Sequence, residues 1–181
     1  MKAVFSLFLM FSVVLQSCKS EPSLQKYFVE NTENKNFVAV DIAPSILGID
    51  KSKLTVEQSE ALTTLKKVNI LAFKLDGANA SLYETEKEKV KTLLKDPQYQ
   101  QLMKFGAGAT GASISFVGDE AHIDEFILFA NNKKNGFTIV RVLGKDMNPN
   151  GIITLLSVLK DANIDMKQLE PLQQMIPKNL E

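Results

Sequence analysis

Three segments in the last third of the chain, Ser113–Val117, Glu125–Ala130 and Phe137–Leu143, most constrain what it can fold into. Each is rich in β-branched and aromatic residues and is bounded by turn residues. Asn135-Gly136 joins the last two, and both residues tolerate the positive φ that a tight hairpin demands. Together they predict an antiparallel three-strand meander. Phe37 to Ile42 and Val68 to Leu75 add two earlier strands. Between the strands lie helical patterns. Ser23 caps a stripe of Leu24, Tyr27 and Phe28. Thr55 and Gln58 form a capping box for a helix over 55–67, and Thr85 with Glu88 repeats that signature before Val90, Leu93 and Leu94. Asp96-Pro97 reads as a fresh helix start carrying Tyr99, Leu102 and Met103 and ending at Gly106. Asn148-Pro149-Asn150 opens a last helix with Ile152, Ile153, Leu155, Leu156 and Leu159. The expected class is α+β: a mixed sheet ending in a C-terminal antiparallel three-strand meander, with helices packed mainly on one face. Phe126 to Phe129 is apolar at every position, so one strand there needs cover on both faces. The helices with Val90 and Ile152 supply cover for one face, and part of the other is expected to serve as a docking surface.

The N-terminus says where such a domain is held. Lys2 is followed by an apolar run from Ala3 to Leu15 and then by Gln16-Ser17-Cys18. A positive start, a short apolar core and a small residue before the cut describe a secretory signal peptide. The run is shorter than the ~20 apolar residues a membrane-spanning helix requires. Leu15-Gln16-Ser17-Cys18 resembles the lipobox of bacterial lipoproteins, and Cys18 is the one cysteine of the chain. That resemblance implies a signal peptide over 1–17 and a lipid on Cys18. The protein is then expected to be a lipoprotein of the cell envelope, on the periplasmic face or at the outer membrane, its membrane partner reached through the anchor. Residues 18–23 are the lipidated cysteine and a tether, and 24–181 form a single α+β domain. At most ~3.5 Å per residue, the tether keeps that domain within about 20 Å of the bilayer.

Composition removes some function classes. Lysine plus arginine number 21 and aspartate plus glutamate 21, so no net charge draws the chain to nucleic acid. With Cys18 consumed by lipid, no thiol is left for redox chemistry.

Candidate sites are sparse. Gly106-Ala107-Gly108-Ala109-Thr110-Gly111 matches G-x-G-x-x-G, but a dinucleotide fingerprint needs a strand before it and a helix after. Here the expected order is helix, loop, strand, so the run reads as a flexible connection. Asp119, Glu120, His122, Asp124 and Glu125 gather carboxylates with the only histidine of the chain, a set that could hold a divalent cation. Alternation of side chains along a hairpin disperses such a set. No serine sits in a nucleophile-elbow context, and no residue pattern asks for a cofactor. An enzymatic reading would have to assemble a hydrolytic site from dispersed residues such as His122, Glu125 and Arg141.

Several stretches carry a family resemblance. They are Leu24-Gln25-Lys26-Tyr27-Phe28, Tyr99-Gln100-Gln101-Leu102-Met103, Glu125-Phe126-Ile127-Leu128-Phe129, and Phe137-Thr138-Ile139-Val140-Arg141-Val142-Leu143-Gly144. In this order, behind a lipobox, the chain resembles the small envelope lipoproteins of Bacteroidetes grouped as the DUF4252 domain family, which has no assigned function. The resemblance implies a loose link to envelope signalling and carries over no functional residues. The expectation is a non-catalytic, lipid-anchored module that binds a protein partner or a small ligand.

Overall fold

A single sheet of six strands organises the chain, and every neighbouring pair in it is antiparallel. The computed structural model describes residues 21–47, 49–107, 110–151 and 154. In chain order its elements are α1 (Leu24–Asn31), β1 (Phe37–Ile42), two short 3-10 turns, α2 (Val56–Thr64) and β2 (Leu65–Lys74). They continue with α3 (Ala80–Leu93), β3 (Gln100–Ala107), β4 (Thr110–Asp119), β5 (His122–Asn132) and β6 (Gly136–Met147). The spatial order is β1-β2-β6-β5-β4-β3. The last four strands form one continuous meander, and the β1–β2 pair docks beside β6.

Alternation along each strand sorts side chains onto two faces. Phe37, Leu71, Phe73, Phe137, Ile139, Ile127 and Phe129 project to one face, where α1 and α3 cover them with Leu24, Tyr27, Phe28, Tyr83 and Val90. The rings of Phe73 and Phe137 stack at 5.4 Å, and Phe37 meets Phe73 edge-on at 5.1 Å. Such pairs contribute about 0.5–1.5 kcal/mol beyond the area they bury. Among the described residues the opposite face is covered at one end only. There α2 and its flanks pack Ala61, Leu62 and Leu65 on Ile42 and Val68, beside a cluster of Phe116, Ile123, Phe126 and Met147.

The sheet is α+β with its C-terminal meander, as expected, but antiparallel throughout and not mixed. Each connection along β3–β6 is a hairpin, which forces antiparallel neighbours. Gly136 has φ +117 while Asn135 is absent from the positive-φ residues, so one residue of the Asn-Gly pair carries the turn geometry. A Cβ on Gly136 would lie 1.9 Å from the Phe73 carbonyl oxygen, which bars every other residue.

Three helical expectations are corrected. The stretch with Tyr99, Leu102 and Met103 is strand, because Gln100–Ala107 pairs with β4 and long-range pairing outweighs the local i, i+3 pattern. Asp96 still makes a local cap, accepting from the Gln98 amide at 3.0 Å, but what it opens is a turn. The capping box of Thr55 and Gln58 is present, at 2.9 and 3.2 Å, yet α2 stops at Thr64 and Leu65 already belongs to β2. Thr85 lies inside α3, where its hydroxyl donates to the Ser81 carbonyl at 3.3 Å; the helix starts earlier, after the Asp76–Asn79 turn. Consequently Gly106 to Gly111 joins two strands, not a helix to a strand. Residues 149–151 and 154 are helical, and most of the stripe Ile152 to Leu159 lies outside the described residues, as do 1–20 with Cys18.

Candidate functional site

The sites expected from the sequence separate in space. Glu125 and Arg141 face each other on the covered side of neighbouring strands: Arg141 Nε donates to Glu125 Oε1 at 2.5 Å and its Nη2 to Oε2 at 3.0 Å. Arg141 Nη1 also donates to Gln25 of α1, and the guanidinium lies 5.2 Å from the Phe28 ring centroid. With Arg141 buried, this bidentate pair joins β5 to β6, while the bond to Gln25 and the Phe28 contact tie α1 to the sheet. His122 does not join it. It lies in the exposed β4–β5 turn, its Nδ1 3.3 Å from Asp119 Oδ1. Asp119 Oδ1 accepts from the Ala121 and His122 amides at 2.9 and 3.0 Å. Those bonds, the Ala121 amide foremost, hold its carboxyl below the usual range. Among the described residues no three of His, Cys, Asp or Glu converge as metal ligands.

A different constellation emerges where cover on the sheet runs out. Helix α3 ends at Leu93, short of the edge strands, and leaves a cavity of about 310 Å³ between its end and β3, β4 and β5. Its rim carries Lys91 and Lys95 from the helix end and Lys104 from β3. Lys91 pairs with Glu88 at 2.9 Å; Lys95 and Lys104 have no ion-pair partner among the described residues. Among the described residues no aspartate or glutamate lines the cavity. Its inner wall holds Ser113, Ser115 and Asn131. Ser115 is 4% exposed and Asn131 8%. The Asn131 Nδ2 has no hydrogen-bond partner, and neither does the Ser115 hydroxyl among the described residues.

Buried polar groups are nearly always bonded, and each unmet one costs roughly 1–3 kcal/mol. On this cavity wall the buried Asn131 Nδ2 is such a group, and the Ser115 hydroxyl stands beside it. Space for them comes from small residues on β4: Gly111 stands opposite Asn131, and a Cβ there would lie 3.3 Å from Asn131 Oδ1. Sequence reasoning missed this site because its lysines come from a helix end and a distant strand. The available signal was Ser113 and Ser115 on the face of β4 whose partners across the ladder are Phe129 and Ile127.

A second concavity, about 610 Å³, opens on the half-covered face. It is lined by Ile70, Ala72, Ala112, Ala130 and Val140, with Phe105 at its rim. Leu128 on that face is 40% exposed and Phe105 53%.

No helix among the described residues is long and apolar enough to cross a membrane. Comparison with curated proteins and with solved structures finds no match. A family model does match, over residues 27–155, a span that runs from the middle of α1 to just beyond β6 and so takes in the whole sheet and the basic cavity. The chain belongs to the family described as Domain of unknown function (DUF4252).

Proposed function

We propose that the chain is a lipid-anchored, non-catalytic binding module of the cell envelope that takes a small ligand in the cavity beside α3. The anchor rests on Leu15-Gln16-Ser17-Cys18 at the end of an apolar leader. Binding rests on one observation: Asn131 Nδ2, buried and without a hydrogen-bond partner among the described residues, lies on the wall of that cavity, with Ser115 beside it. A hydrolytic enzyme built on His122, Glu125 and Arg141 is the competing reading. Against it, Glu125 and Arg141 satisfy each other beneath α1 while His122 lies out in a turn.

A protein partner in the envelope, including one in a signalling system, is a second reading. It is favoured by β3, which among the described residues is a sheet edge with exposed Leu102, Met103 and Phe105 and suits an extended apolar segment added as a further strand.

The test is to extract the full-length protein from envelopes and weigh it under native conditions. A small-molecule adduct that is lost in the Ser115→Leu variant supports the ligand reading. A stoichiometric protein adduct lost on Met103→Lys instead supports the partner reading. The anchor is tested apart: Cys18→Ala should abolish labelling by a palmitate probe, and persistent labelling overturns it.

A further inference from the structure

Resting on the ligand-binding reading, we infer that the cavity beside α3 is an oxyanion site, which recognises a carboxylate or phosphate group on a small molecule. Three cations stand at the rim, Lys91, Lys95 and Lys104, and among the described residues no carboxylate lines the interior to oppose an anion. Lys95 and Lys104 are free of ion pairs among the described residues, so an incoming anion need not displace a protein partner from them. The inner wall offers hydroxyl and amide groups: Ser115 and Asn131, each without a hydrogen-bond partner, and Ser113 beside them. A hydroxyl donates to an anion, and a bond to a charged acceptor is about twice as strong as a neutral one. A bound oxyanion would accept from the Ser115 hydroxyl and from Asn131 Nδ2.

The shape agrees with this chemistry. At about 310 Å³ the cavity is at the small end of ligand pockets, which run from ~300 to 1,000 Å³. Phe129 and Leu94 give one side an apolar surface, so the preferred ligand joins its anionic group to a short apolar body. A long acyl chain does not fit. Gly111 keeps the approach to Asn131 open, since any side chain there meets the Asn131 amide.

The experiment uses the full-length protein in detergent, labelled for nuclear magnetic resonance. It is titrated with sodium phosphate or sodium acetate at ionic strength held constant with sodium chloride. Saturable shifts of the Ser115 amide and the Asn131 side-chain amide are expected with at least one of the two ions, and the stronger ion tells phosphate from carboxylate. Ser115→Ala is expected to weaken binding about tenfold, and Lys104→Gln about threefold because its charge is exposed. Lys133→Gln, on the β5–β6 turn, is expected to change nothing. The inference is overturned if neither ion gives saturable shifts, or if Lys95→Gln/Lys104→Gln binds as the parent does. If anions fail while a neutral adduct is still retained from the envelope, the oxyanion assignment falls and the ligand-binding reading stands. If no adduct is retained either, both fall.

Discussion

The two faces of the sheet are made from the same strands and similar residues, yet they are in different physical states. On one, Phe73, Phe137 and Ile139 are sealed beneath α1 and α3. On the other, the same strands place Ile70, Ala72 and Val140 along a concavity that the described residues leave open, and α2 reaches only one end. Even the sealed face is sealed unevenly, since α3 stops short of the edge strands and the basic cavity lies in that gap. Apolar pattern in a strand specifies what must be covered or bound. It does not specify which of the two happens.

The largest expected contrast comes from truncating the sealed face. Phe73→Ala removes a fully buried ring that touches Phe37, Tyr83 and Phe137, and should cost about 3–5 kcal/mol in urea unfolding. A loss below about 1 kcal/mol would mean the aromatic layer is not the core. Next is the buried pair that joins β5 to β6 and holds Arg141 against Gln25 of α1. Glu125→Ala leaves Arg141 buried without its carboxylate, for an expected loss of about 3 kcal/mol. Glu125→Ala combined with Arg141→Met should recover part of that loss; no recovery would break the claim that the orphaned charge is the cause.

A third test uses pH. Burial, then the bond to the Glu86 carboxylate at 2.9 Å, raises the Tyr27 phenol well above its ordinary value. The unfolded chain loses that proton near pH ~10 while the folded chain retains it. The unfolded state then binds fewer protons, so stability is full below about pH 10 and falls as pH rises beyond it. Tyr99, also raised mainly by burial, acts in the same direction. Tyr27→Phe should flatten the alkaline fall, and an unchanged slope would refute the assignment.

The smallest effect belongs to the open face. Leu128→Lys, at a residue 40% exposed, should shift stability by no more than about 0.5 kcal/mol. A loss comparable with Phe73→Ala would mean that this face is covered as firmly as the other.

Much of the fold was legible in the residues. The meander was read from β-branched and aromatic runs with Asn135-Gly136 between them, and α1 and α2 from Ser23 and the Thr55–Gln58 box. These are local signals, because a turn residue or a cap acts within three or four positions of itself. The stretch from Gln100 to Ala107 was misread for the complementary reason. Its helical spacing is weak, and the hydrogen bonds it makes with β4 span a hairpin whose closing a propensity cannot weigh.

The sequence by itself determined that this chain builds a meander and that its strands carry apolar residues to both sides, since side-chain direction follows from backbone period alone. It also carries, in linear order, the apolar run and Cys18 on which the proposed anchor rests. Tertiary structure alone decided which face is sealed, that Glu125 meets Arg141 and not His122, and that Lys95, Lys104, Ser115 and Asn131 share one cavity. The reason is distance along the chain. Those groups come from α3's end, β3, β4 and β5, and only the order of strands in the sheet and the length at which α3 stops bring them to one cavity.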